Sequence, residues 1–372
     1  MVLLLAMVRL VWGFNSGDLS FEGAFVTLGL GLVGAPTAYM IGRDGLSWFP
    51  WKYAGRKLVL TIPLLWGVVT LLFFLIELSP GDVADKFFTP DTPPEVQQLI
   101  VAKYGLDQPA WARYLLMLKN LLLFDFGRSM ITEEPVWDLV ADRLPNTLLL
   151  SGVTLAIIFP VGIAIGTTQG INQGKPIDGG LSISSLFLYS MPSFWLALMM
   201  QLLLTYWWPI LPTSGMEDGT LQYTDPSQYE IFKDRLAHLV LPGIAIGIAH
   251  AAGTARYMRS SLLEVIRQDY VRTARAKGLP ETTVIGKHAI RNALLPIITL
   301  FGLSMPFLFS GSVLVETIFA WPGMGRLIVD HIFQQDTPVI IACFYVFTLI
   351  VVAGNLLADI LYAVVDPRIK YE

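Results

Sequence analysis

The sequence predicts an all-α polytopic membrane protein, and three observations carry that prediction. Hydrophobic residues make up 54% of the chain and charged residues only 15%, where an average soluble domain is about one quarter charged. Mean hydropathy is correspondingly positive, at +0.59. Six apolar runs (58–76, 147–168, 181–206, 237–255, 293–315 and 338–364) are each long enough to cross a bilayer, which takes roughly 20 helical residues at ~1.5 Å apiece. Lys and Arg are also shared unevenly among the links between those runs, as membrane topology requires.

Residues 1–50 form an N-terminal extension. Its run 24–42 is rich in Gly, contains Pro36 and ends at Arg43; the run 2–14 is short and carries Arg9. One or two extra transmembrane helices are expected here. No charge precedes the run 2–14 and no small-x-small cleavage site follows it, so it does not read as a cleaved signal peptide.

Residues 51–372 read as one membrane domain. Arg43, Lys52, Arg56 and Lys57 lie ahead of the run 58–76 and place its start on the cytoplasmic side. Alternation then puts 79–145, 207–236 and 316–337 outside, and 170–180, 256–292 and the C-terminus inside. The inside segments, from 43–57 onward, hold 15 Lys and Arg against 9 in the longer outside ones. The net charge of −4 says less than this distribution.

The outside segment 79–145 is too long for a turn. Within it, "PDTPPEVQQLIVAKYGLD" sets Val96, Leu99 and Ile100 at helical spacing, and "PAWARYLLMLKNLLLF" does the same with Trp111, Tyr114, Leu115 and Leu118. Two amphipathic helices are predicted, either packed as a cap or lying along the headgroups with their aromatics at the interface.

The inside segment 256–292 is the most unusual part of the chain. Five cations (Arg272, Arg275, Lys277, Lys287 and Arg291) fall within "YVRTARAKGLPETTVIGKHAIRNALLPI". The run 256–277 has no internal Gly or Pro and is expected to be helical throughout. Gly278 would stop it in the left-handed conformation. Pro280 fits the first turn of a second helix, and Leu295-Pro296 marks the start of the next span. Such a basic elbow could retain the loop inside, attract anionic lipid at about 1 kcal/mol per cation, or dock a cytoplasmic partner. The first two uses need only charge; the break at Gly278 and Pro280 argues for a shaped surface.

Ala274, Gly278 and Leu295-Pro296 resemble the "EAA" loop of binding-protein-dependent ABC importer permeases, with Arg272 and Thr273 replacing its first two letters. The form "YVRTARAKG" is similar to that of the peptide/nickel group. "ELSPGD", "YGLDQP", "FDFGRS", "DRLPNTLLLS", "MPSFWLAL", "LPTSGM", "HLVLP", "VETIFAWPGMGRL" and "DPR" resemble further motifs of that group in order, over residues 53–370. The resemblance implies a six-helix permease core of the type I importer kind. It also implies a second homologous permease, two cytoplasmic ATPases that bind ATP and Mg, an external solute-binding protein, and a bacterial or archaeal cytoplasmic membrane with the C-terminus inside. Arg272, Thr273, Ala274, Arg275, Lys277, Gly278, Leu295 and Pro296 would belong to the ATPase-coupling loop. The solute would be a peptide or similar small molecule; lipid is the remaining partner, and no nucleic acid is expected.

Catalytic material is sparse. "GINQGKP" imitates a phosphate-binding loop but has the wrong spacing, and Pro176 stands where the hydroxyl belongs. No H-E-x-x-H or Cys cluster offers a metal site; Cys343 stands alone, and His238, His250, His288 and His331 are scattered. No cofactor is expected in this chain. The alternative function is a proton-coupled secondary transporter, which needs an ionisable group near the midplane. His250, Glu316 and Asp359 are its candidates, read respectively as a packing histidine and two groups solvated near the interfaces. Pro160, Gly162, Gly166, Pro192, Pro296, Gly302 and Pro306 read as packing and kink positions, or as hinges.

Overall fold

The computed structural model describes residues 51–78, 107–223 and 226–365, with 93, 95 and 97 between them. The expected N-terminal spans, nearly all of the first external helix and the terminal "DPR" lie outside the described residues. Among those described the chain is helical, with one isolated antiparallel bridge between Arg128 and Pro135.

The helices are α1 (Trp51–Glu77), α2 (Ala110–Leu122), α3 (Val136–Ile171), α4 (Pro176–Ser190) and α5 (Ser193–Trp207, its last turn π-helical). After a loop come α6 (Gln228–Ile266), α7 (Asp269–Ala276), α8 (Glu281–Ala293), α9 (Leu295–Ile318), α10 (Met324–Gln334) and α11 (Thr337–Val365). Helices α1, α3, α6 and α11 are individually long and apolar enough to cross a membrane, and two bent pairs, α4–α5 and α8 with the start of α9, bring the number to six.

Hydrogen bonds sort the helix ends into two groups. At one end, Arg259 near the end of α6 donates to Asp178 at the start of α4 (Nε to Oδ1 and Nη2 to Oδ2, both 2.9 Å), and Ser261 donates to the Ala293 carbonyl at 3.0 Å. At the other, the Gly215 amide after α5 donates to the Phe319 carbonyl after α9 at 2.8 Å, and Asn146 of α3 donates to the Pro322 carbonyl. Helix α4 therefore starts at the elbow end, and the chain leaves α5 at the other.

The run 181–206, expected as one span, is broken: α4 and α5 meet at an angle of 100°. Proline is the cause. Met191 (φ −83°, ψ 131°) and Pro192 (φ −61°, ψ 134°) are both extended, because the proline ring disfavours the α region for the residue before it. Helix α3 begins at Val136, eleven residues before its apolar run, so "DRLPNTLLLS" lies within it and Pro145 is internal. Helix α6 has 39 residues, about 58 Å at ~1.5 Å per residue, and so projects well beyond a ~30 Å core.

Helices α3 and α6 are held together by glycines. A Cβ on Gly162 would come 2.8 Å from the Ala251 carbonyl oxygen, one on Gly166 2.7 Å from Met258 Cβ, and one on Gly170 2.8 Å from Leu262. From the facing side, Gly243 and Gly247 admit Val153 and Ile157. Small residues allow such close approach between membrane helices. This confirms the packing role expected of Gly162 and Gly166; the surroundings of Gly302 and Pro306 lie outside the described residues. Around this pair, Leu150, Phe159, Leu239, Met258 and Trp321 form one apolar cluster, while Val69, Leu121, Val140, Val339 and Cys343 form a second at α1, α2, the start of α3 and α11. Gly166→Val is expected to wedge α3 from α6 at a cost of about 1–3 kcal/mol for overpacking. A lowered thermal midpoint in detergent would show it; an unchanged midpoint would mean the two backbones can separate freely.

Candidate coupling elbow and its linkage to the bundle

The elbow is built in three steps. Helix α6 stops at Ile266, and Gln268 is extended (φ −71°, ψ 150°) before α7 begins at Asp269. The expected continuous helix over 256–277 is thus interrupted without Gly or Pro. The break turns α7 so that Val271 and Ala274 are buried against Val265 of α6 and Val284 of α8. Burial of these side chains, rather than any local breaker, is the physical reason for the turn.

Gly278 then ends α7 with φ +77°. Its amide donates to the Arg275 carbonyl at 2.9 Å, and the Leu279 amide to the Ala274 carbonyl at 3.4 Å, the paired bonds of a Schellman closure. A Cβ at Gly278 would meet nothing within 4 Å. What glycine supplies here is the left-handed backbone, not space. Pro280 (φ −62°, ψ 142°) caps α8 from just outside it and is not in its first turn.

Across the break, Arg275 grips Glu281 with two hydrogen bonds, Nε to Oε2 at 3.1 Å and Nη2 to Oε1 at 2.7 Å. Those bonds hold the Glu281 carboxyl below its usual range. Arg272 pairs with Asp269 at 3.2 Å, and Thr273 donates to the Asp269 carbonyl. Lys277 and Leu279 are exposed at the tip. Helix α8 passes through a π-helical stretch at Val284–Ile290 and reaches Leu295 and Pro296, where Pro296 sits in the first turn of α9.

Of the residues singled out by sequence, Arg272, Thr273, Ala274, Arg275, Lys277 and Gly278 come together on α7 and its cap. Ala274 is buried, so its contribution is packing. Leu295 and Pro296 stand at the far end of α8, where they direct the chain into α9. Sequence reasoning missed Glu281 as the partner of Arg275. Its opposite charge across a Gly-Leu-Pro break was the available signal.

At the opposite end, Glu316 is not solvated as expected but fully buried. Its Oε1 accepts from Thr147 Oγ1 at 3.0 Å, and its Oε2 accepts from the amides of Gly325 (2.7 Å) and Arg326 (3.2 Å). These amides open α10, where a helix N-terminus favours negative charge. The Met324 amide donates to Thr147 Oγ1 at 2.7 Å, and Trp321 Nε1 to the Asn146 carbonyl at 3.0 Å. A Cβ on Gly323 would lie 2.6 Å from Glu316 Cδ. "ETIFAWPGMGR" is thus a knot that fastens α9 and α10 to α3. His250 sits half-buried on α6, and the side chain of Asp359 on α11 lies outside the described residues. "GINQGKP" forms the turn from α3 to α4, where the Gly174 amide donates to Asp178. Among the described residues, no group of three or more His, Cys, Asp or Glu gathers to hold a metal.

Residues 158–371 match the family described as "Binding-protein-dependent transport system inner membrane component". The oligopeptide transport system permease protein AppB of Bacillus subtilis is 42% identical over 320 residues, which are 86% of this chain and 99% of that protein. The dipeptide transport system permease protein DppB of Escherichia coli K12 is 36% identical over 332 residues, covering 85% and 98%. Among solved structures, an inward-facing MetNI methionine ABC transporter superposes with a TM-score of 0.50 at 17% identity, over 62% of this chain and 98% of that one. That likeness is one of fold. The matches are to ABC transporter membrane subunits and not to proton-coupled carriers, which removes the secondary-transporter alternative. With four to six candidate crossings among the described residues and these relatives matched over most of its length, the chain belongs to the inner membrane components of binding-protein-dependent transport systems, as an ABC importer permease subunit.

Proposed function

We propose that this subunit imports peptides or similar small solutes, forming half of a pore with a second, homologous permease. The naming of its relatives as oligopeptide and dipeptide permeases supports the solute class. Two cytoplasmic ATPases would bind ATP and Mg and hydrolyse the nucleotide. A solute-binding protein would deliver cargo to the external segment 79–145, and the C-terminus would face the cytoplasm.

The observation that carries the coupling role is the elbow's construction. A surface that needed only charge would not require a Schellman closure, a bidentate Arg275–Glu281 clasp and an apolar underside at Val265, Val271 and Val284. Closure of the ATPase pair around α7 would push on α6. Helix α6 is bonded to α3 through the glycine contacts and to α4 through Arg259 and Asp178. The three helices would therefore move together, and the Pro192 break would let α5 lag behind α4.

Proteoliposomes holding the complete complex should take up peptide only with ATP on the elbow side and binding protein on the other. Uptake by this chain alone under a proton gradient would overturn the reading. Orientation has its own test. Cys343 is buried, so a membrane-impermeant thiol reagent should label Asp218→Cys but not Gln268→Cys in right-side-out vesicles. The opposite pattern would invert the topology.

A further inference from the structure

Helix α2 is fastened to α1 along one face. Tyr114 Oη lies 2.6 Å from Thr70 Oγ1, its ring stands 5.3 Å from that of Phe73, and Arg113 Nη2 meets Glu77 Oε1 at 2.5 Å. Met117, Leu118 and Leu121 complete that face against the apolar cluster of α1 and α11. Thr70 precedes the end of α1 by seven residues, about 10 Å along the axis at ~1.5 Å per residue. Helix α2 is therefore held beside the last two turns of a membrane-spanning helix rather than above them.

The flank of α2 directly beside that packed face is apolar and open. Trp111, Leu115 and Leu122 are 68%, 55% and 76% exposed, and their spacing places them within about 40° of one another around a helix of 3.6 residues per turn. Leu123 and Phe124 continue the ridge past the helix end, and Lys119 borders it. We infer that α2 lies in the plane of the outer leaflet, with this ridge immersed at the boundary between headgroups and acyl chains. The depth set by Tyr114 and Thr70 supports lipid as the occupant. So does continuity with the exposed apolar side of α1, where Leu71, Phe74 and Leu75 face outward. Trp and a flanking cation are what interfacial helices use at this level. The ridge then anchors the external segment to the bilayer and fixes the height at which that segment stands. The inference rests on the membrane placement of α1 and not on the solute or the ATPase contact.

The test is spin-label accessibility in the intact complex, reconstituted in nanodiscs with Cys343→Ala as background. Labels at Leu115→Cys and Leu122→Cys are expected to collide with oxygen far more than with a water-soluble nickel chelate, as a label at Leu71→Cys does. Predominant collision with the nickel chelate at either site would show a water-facing helix. Low accessibility to both reagents would show that protein covers the ridge, either the second permease or the binding protein. Either result overturns the inference, and ATP hydrolysis stimulated by the binding protein, measured on the same samples, confirms that the labelled complexes remain folded.

Discussion

Gly278→Val is expected to abolish ATP-driven uptake while leaving the membrane bundle folded and the proposed pairing with a second permease intact. The backbone at 278 has φ +77°, a conformation that costs a residue with Cβ about 1–2 kcal/mol, more where the side chain is β-branched. No neighbouring atom would be struck, so the effect acts through the backbone alone. Relief of that strain breaks the Gly278–Arg275 and Leu279–Ala274 bonds, swings α7 away from α8 and parts Arg275 from Glu281. Gly278→Asn should restore much of the activity, because Asn tolerates the left-handed region. Arg272→Gln should change little, since its pair with Asp269 is exposed and such pairs contribute about 0–1 kcal/mol. Uptake and nucleotide hydrolysis in the reconstituted complex measure all three. Normal transport by Gly278→Val would reduce the elbow to a topological anchor.

Glu316→Ala is expected to be the most destabilising single change at the end opposite the elbow. It removes the acceptor for Thr147 Oγ1 and for the Gly325 and Arg326 amides inside a site closed to water. Each buried donor left without a partner costs about 1–3 kcal/mol. The start of α10 would come loose from α9 and α3, and little of the variant should survive solubilisation as a single species. Glu316→Gln keeps the shape and one acceptor but turns an NH2 toward donors, and should fall between the two. Gly323→Ala should mimic the loss by crowding the same carboxylate. Size-exclusion profiles recorded against temperature would rank these variants. A wild-type midpoint for Glu316→Ala would show that α10 is held by other contacts.

Much of this fold is written in local chemistry. The candidate crossings, four single helices and two bent pairs among the described residues, follow from six runs of bilayer length, because backbone groups in lipid must pair within their own segment. Gly278 is readable because only a residue without Cβ enters the left-handed region cheaply, and the position of Leu295-Pro296 because proline suits a helix's first turn. Other features depend on what a segment meets. The turn at Arg267–Gln268 carries no breaker and exists because Val271 and Ala274 find Val265 and Val284. The Pro192 break was visible as a kink, but its 100° angle was not. Glu316 looked like a solvated interface residue, since nothing near it in sequence announces Thr147, 169 positions away. Backbone preference and apolar periodicity act over a few residues and survive in the sequence as pattern. Whether a carboxylate is covered, and by which donors, is decided only when helices distant along the chain pack together, and that belongs to the tertiary structure.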